Sequence, residues 1–348
     1  MNSIPMFWKT TLRDIDETIQ DLKYGKVVRQ GESAGGRPIY LIEYGKKNDL
    51  QRTANLSSAL GGSDRKCYAD KSGPDYRPTI LLVGCIHGGE FEGVAALNNL
   101  IKIFETGSDF KGEKNEFLHN IYKEANILII PCLNPDGRAR LDFPSMVGKS
   151  FEELRLYNQG TWKDGTLCGW PDCKRIHPIK EHCDFLGGYF NDDGINLMHD
   201  DFFLKKSSEN EFLFDIANEY VPDLTILLHG GDNTPPCILK PTHAPMRIKE
   251  DILVLENMIK ERGEKEDLFF YITKLDRGEE KLNGGSFNLT SAITHLCGEP
   301  CVTFESNQGL INHKRKALTY DEIYRTHMIL FEESIKYIQT KKEEENEK

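Results

Sequence analysis

Three of the apolar runs in this 348-residue chain end in side chains that can bind metal or move protons: His87 and Glu90 in IHGGEFEG, His229 in LTILLHGG, and Glu305 in CVTFES. Two histidines and a glutamate form a donor set suited to zinc, which in a catalytic site takes three protein ligands and keeps a fourth position for water. Gly88 and Gly89 fit a tight turn, because glycine reaches backbone angles closed to other residues, so His87 and Glu90 are expected to face one point. Glu90 is expected to open a helix, whose dipole stabilises its charge. A His-x-x-Glu pair is common by coincidence; a second histidine ending another strand-like run makes it a metal candidate. A carboxylate ending a buried run is costly unless it is paired, hydrogen-bonded or functional. Beside an activated water, Glu305 would take a proton during attack and return it to a leaving amine.

The elements that must position these groups alternate along the chain. A helix is expected over 10–23, with short strands at Val27–Arg29 and Ile39–Tyr44, and then a turn-rich surface excursion over 46–76. TILLVGCI (79–86) and NILIIPCL (126–133) are continuous apolar runs of strand length, as in strands buried on both faces. Between them Val94, Leu97, Ile101 and Phe104 trace one face of a helix. A long irregular stretch, 134–192, precedes helix 208–220, strand 224–229, helix 247–262, strand 267–273, helix 287–296, strand 301–305 and helix 320–338. The expectation is a single α/β domain over 1–340, with a mixed, mostly parallel sheet and helices on both faces. The charge run 341–348 is expected to fray. Ligands in such sheets bind beyond the carboxyl ends of the strands, where His87, Asn134, His229 and Glu305 fall.

Composition narrows the classes. A net charge of −11 argues against a general binder of nucleic acid or acidic membrane. No segment reaches the roughly 18 uninterrupted apolar residues of a membrane span, and MNSIPMFWKTTLRDIDETIQ does not read as a signal peptide. Nine scattered cysteines suit a reduced, cytoplasmic setting better than a disulfide framework. Composition says nothing of the oligomeric state.

The order of motifs, HGGE, NPDG (134–137), GINL (194–197), LLHGG (227–231), GGS (284–286) and VTFES (302–306), resembles the zinc metallocarboxypeptidases over roughly residues 27–335, as does GESAGGRPIYLIEYG (31–45). The resemblance implies one zinc ion per chain on His87, Glu90 and His229, Glu305 as general base, and a peptide or acyl-amino-acid substrate. It also implies that Asn196 braces His87, and it places Asn196, His199 and Phe287 on the substrate side. The chain departs from the family where an Asn-Arg pair usually grips the substrate carboxylate: Met198 and His199 stand there. A protonated His199 could take that role. Glu280 stands where the family often has a covering tyrosine. The cation that polarises the scissile carbonyl falls in an insertion, with Arg138 and Arg175 as first candidates beside Arg140 and Lys174.

Two other readings compete. IHGGEFEG also resembles the aspartoacylase and succinylglutamate desuccinylase branch, an acylase alternative that NPDG and the TFE segment disfavour. A non-catalytic binding module is disfavoured by the complete set of metal and base candidates. Cys168, Cys173, His177, His182 and Cys183 crowd one loop, but their spacing fits a structural zinc site poorly.

Overall fold

The computed structural model describes residues 3–275 and 285–346. Its strands are β1 (Lys26–Glu32), β2 (Pro38–Tyr44), β3 (Thr79–Val83), β4 (Asn126–Ile130), the small hairpin β5 (Gly160–Trp162) and β6 (Cys183–Leu186), then β7 (Leu224–Gly230), β8 (Cys237–Leu239) and β9 (Cys301–Ser306). The helices are α1 (Leu12–Ile19), α2 (Leu56–Gly61), α3 (Glu92–Thr106), α4 (Glu116–Ile121), α5 (Pro135–Ala139), α6 (Phe151–Gln159), α7 (Ser208–Tyr220), α8 (Met246–Glu264), α9 (Leu289–Cys297) and α10 (Tyr320–Asn346).

Seven strands form the main sheet in the order β1-β2-β4-β3-β7-β9-β8. The four central strands, β4, β3, β7 and β9, are mutually parallel, and antiparallel partners flank them on both edges. Alternation along each strand splits the core in two. Ile80, Leu82, Ile127 and Ile129 pack toward α3, α8 and α10, whereas Leu81, Val83, Leu128 and Ile130 pack toward α7 and α9. Both faces are covered, which is why these strands read as unbroken apolar runs. From β3 the chain moves to β4 on one side and later returns to β7 on the other. A crevice therefore opens beyond the carboxyl ends of β3 and β7.

The expected α/β class and mixed, mostly parallel sheet hold; several local expectations do not. The run 267–273 is no sheet strand: only Tyr271 makes an isolated bridge to Cys237, and Phe269 points into solvent at 65% exposure. The sheet edge is instead β8, three residues long and too short for a period to show. The 134–192 stretch is built from α5, α6 and the β5–β6 hairpin rather than being structureless. Helix α10 continues through 341–346, where fraying was expected; Lys341 pairs with Asp251 and Lys342 reaches the carbonyl of Tyr76.

Candidate metal centre and cavity

His87 leaves β3 through a turn in which Cys85, not a glycine, takes the left-handed backbone, at φ 53°. Gly88 and Gly89 are required for a different reason than conformational freedom. A Cβ on Gly88 would lie 2.0 Å from the carbonyl carbon of Gly137, and one on Gly89 would lie 1.7 Å from Asn158 Oδ1. The NPDG turn at the head of α5 thus lies directly against the His87 turn, and Gly88 N–H donates to the Gly188 carbonyl at 2.6 Å. Gly88→Ala is expected to destabilise the protein by at least about 1–3 kcal/mol, read as a lower urea midpoint; an unchanged midpoint would contradict this close approach.

Glu90 lies two positions before α3, whose N-cap is Phe91, so it does not open the helix as expected; it lies between two imidazoles. His87 Nδ1 lies 2.8 Å from its Oε1, and His229 Nδ1 lies 2.8 Å from its Oε2. All three side chains are buried. Burial would raise the Glu90 carboxyl, but the two histidines outweigh it and hold the group at about 2. Strand register brings in the fourth residue: His229 on β7 is the parallel partner of Glu305 on β9. Both side chains therefore leave the same face of the sheet at its carboxyl end. Burial, with Glu90 and Asp232 adding repulsion, pushes the Glu305 carboxyl up to about 7 despite attraction from His229.

The orientation of His87 decides what the cluster can hold. Asn196 Oδ1 accepts the Met198 N–H at 3.0 Å and lies 3.1 Å from His87 Nε2. An atom that accepts from a backbone N–H is the amide oxygen, so His87 Nε2 must be the protonated donor. Nδ1 of His87 then faces the Glu90 carboxylate at 2.8 Å, a contact that a proton on Nδ1 or a bound cation would satisfy. Among the described residues Glu90 Oε2 makes no hydrogen bond of good geometry, and His229 Nδ1 lies 2.8 Å from it. One donor atom from each of His87, Glu90 and His229 lies within 4.8 Å of the others, so the residues present fit a metal ion. Among the described residues no second set of three such donors converges. In the 168–183 loop, the thiols of Cys168 and Cys183 lie 4.0 Å apart, and His177 Nε2 accepts the Asn196 N–H instead.

The centre opens into a cavity of about 500 Å³ lined by His87, Glu90, His229 and Glu305, together with Arg155, Lys174 and His199 among others. Several sequence candidates lie elsewhere or take different tasks. Arg138 is buried away from the cavity, its guanidinium donating to the carbonyls of Thr10, Leu141 and Phe143. Arg140 is held by the Gly187 and Phe190 carbonyls and by Asp192. Arg175 is on the outer surface, paired with Asp172. Lys174, the remaining candidate, does reach the cavity wall. Phe287 does not line the cavity; its ring packs against Phe203, His243 and His295. Asn196 lines the cavity, but its oxygen is engaged by His87. His199 lines it too, and burial, followed by the nearby Lys174 and His87, holds its imidazole down at about 3. The imidazole is therefore neutral, and a charge-based clamp on His199 is disfavoured. Glu280 and Gly284 fall outside the described residues.

Sequence reasoning missed Arg155. It extends from α6 into the cavity with no acidic partner among the described residues, its guanidinium lying against the backbone of Gly169. A signal was present. Ser150 and Glu153 form a reciprocal capping box that opens α6, and Ser-x-x-Glu before an apolar residue marks a helix start within the stretch read as irregular.

Residues 14–177 match the sequence model of the zinc carboxypeptidase family. No curated protein matches the sequence. Among solved structures, the chain is similar to a metallo-carboxypeptidase from Burkholderia cenocepacia (15% identity, TM-score 0.58), covering 94% of this chain and 69% of that one. It is similar to carboxypeptidase A from Helicoverpa armigera (15% identity, TM-score 0.54), with 98% and 76% covered. A metallo-carboxypeptidase from Pseudomonas aeruginosa aligns at 12% identity and TM-score 0.54, with 93% and 67% covered. These structures share the fold.

Proposed function

We propose that this chain is an atypical, M14-like hydrolase of the zinc carboxypeptidase family that cleaves a C-terminal or near-terminal amide of a peptide-like substrate. In support, residues 14–177 match the family model, and the fold is shared with solved carboxypeptidases. In this reading His87, Glu90 and His229 hold one zinc ion, and Glu305 is the general base. The observation that carries it is the convergence of two imidazole nitrogens on Glu90, with Glu305 paired beside His229 at the same cavity wall. When bound, zinc supplies Lewis-acid polarisation of the carbonyl and activation of the attacking water.

The protein's own groups do the rest. Asn196 fixes the tautomer and plane of His87, and Tyr189 stacks on that ring at 3.9 Å. Glu305 takes a proton from water on its carboxylate and delivers it to the leaving nitrogen. A carboxyl raised toward neutrality by burial is suited to both steps. Arg155 donates its free N–H groups to the carbonyl oxygen as negative charge develops there.

That role for Arg155 predicts a specific pattern. Arg155→Met is expected to lower kcat by about 10²–10³-fold, the usual effect of losing one such donor, with zinc content and melting temperature unchanged. Arg138→Met should instead lower the melting temperature, because three buried carbonyls lose their donor. The reverse pattern would return the polarising role to Arg138. The proposed reaction is tested by incubating zinc-supplied protein with a panel of N-acylated peptides and identifying the products by mass spectrometry. Release of a C-terminal amino acid or short C-terminal fragment is expected. Release of the acyl acid alone would favour the acylase alternative, and no product from any amide would overturn the hydrolase reading.

A further inference from the structure

The β5–β6 hairpin and the segment it encloses hold three cysteines that the metal centre does not use. Cys168 and Cys173 are buried with Ile179 and Phe190 in a small apolar cluster, and Cys183 packs against its edge. The thiols of Cys168 and Cys183 lie 4.0 Å apart, although the residues are 15 positions apart in the chain. Backbone pairing ties both to one strand. Cys168 N–H donates to the Gly160 carbonyl at one end of β5, and Cys183 pairs with Trp162 at the other, where the register is broken by a bulge. The approach of the two sulfur atoms is therefore built into the hairpin.

The two thiols differ in access. Seven of the nine cysteines are buried, and Cys67 and Cys183 are half-buried. Cys67 donates to the Asp64 carboxylate at 3.4 Å. Cys183 instead has a second sulfur beside it; burial raises its thiol, while the Cys168 contact and Arg140 favour its thiolate. Cys168 is 1% exposed, and burial pushes its thiol up to about 12. An oxidant arriving from solvent meets Cys183 first, with Cys168 behind it to resolve the product.

We propose that Cys168 and Cys183 form a reversible redox site that a peroxide converts to a disulfide. The Cys183 thiolate attacks hydrogen peroxide; an S–O bond forms, the O–O bond breaks, and the released hydroxide takes up the Cys183 proton as water. Cys168 then attacks the Cys183 sulfur. The S–S bond forms, the S–O bond breaks, and the second hydroxide leaves as water with the Cys168 proton. Two thiols lose two electrons and two protons, and one peroxide becomes two waters. The sulfur atoms must close by about 2 Å to reach bonding distance. The bond would complete a ring that carries Trp170 and Lys174 of the cavity wall. A cross-link restricts the segment it encloses, so oxidation would stiffen one wall of the cavity. Neither zinc nor hydrolysis takes part in this chemistry.

The test uses the full-length protein, treated with hydrogen peroxide, then denatured and alkylated with iodoacetamide. Oxidised protein should carry two fewer alkyl groups than untreated protein, and dithiothreitol should restore them. Trypsin cuts after Lys163, Lys174, Lys180 and Lys205, so digestion without reductant should yield peptide 164–174 joined to peptide 181–205. Peptide 164–174 also holds Cys173, and fragmentation of the joined pair should place the bond on Cys168. Cys183→Ser, at a half-buried position, should abolish the link. Thiols still free at Cys168 and Cys183, a sulfinic acid on Cys183 without the link, or a bond to Cys173 would each overturn the proposal.

Discussion

Replacing Glu305 with glutamine is expected to lower turnover by about 10²–10⁴-fold or more, the range for losing a general base, while zinc content and fold survive. The substitution keeps the shape and removes only the ability to accept a proton. The Glu305 carboxylate receives no hydrogen bond from the protein among the described residues, so the amide breaks no contact. Burial already disfavours the carboxylate, so a neutral side chain costs no stability there. The melting temperature should therefore equal or slightly exceed that of wild type. The check is a pair of measurements on one preparation: kcat on the best amide substrate, and the thermal midpoint. A variant within a few-fold of wild type would remove Glu305 from proton transfer. A variant that lost both activity and stability would show a structural role instead.

The parts of this site legible in the sequence are those set by the buried parallel strands. TILLV, NILII, LTILLHG and CVTFES read as strands because both faces are covered, and their polar ends give His87, His229 and Glu305 directly. The pairing of His229 with Glu305 was not legible, since register between strands more than 70 positions apart belongs to tertiary structure. The glycines after His87 were visible, but their reason was not. It is contact with the backbone of Gly137 and the side chain of Asn158, distant in sequence.

The cations were misread for a related cause. Arg138 and Arg140 follow NPDG, and nearness in sequence suggested nearness to the centre; in the fold, Arg138 turns back to the carbonyl of Thr10, 128 positions away. Arg155 was hidden because the insertion defeats alignment, although its helix announces itself through Ser150 and Glu153. The stretch 267–273 has strand-like composition, yet the sheet edge beside β9 is taken by β8, so composition alone chose wrongly.

The second large effect concerns the metal itself. Glu90 lies between two imidazoles, each with its Nδ1 2.8 Å from a carboxylate oxygen, so removing one imidazole is expected to leave too few donors to retain a metal ion. Removing an outer partner such as Asn196 is expected to cost about 10–100-fold in affinity, and removing His229 should cost more. The most direct measurement is elemental analysis of zinc per chain after dialysis against a zinc buffer, in wild type and His229→Ala, with circular dichroism confirming the fold. The account predicts about one zinc per wild-type chain, as in a single three-ligand site, and little zinc with no turnover in His229→Ala. A folded His229→Ala protein that kept full zinc and activity would contradict it.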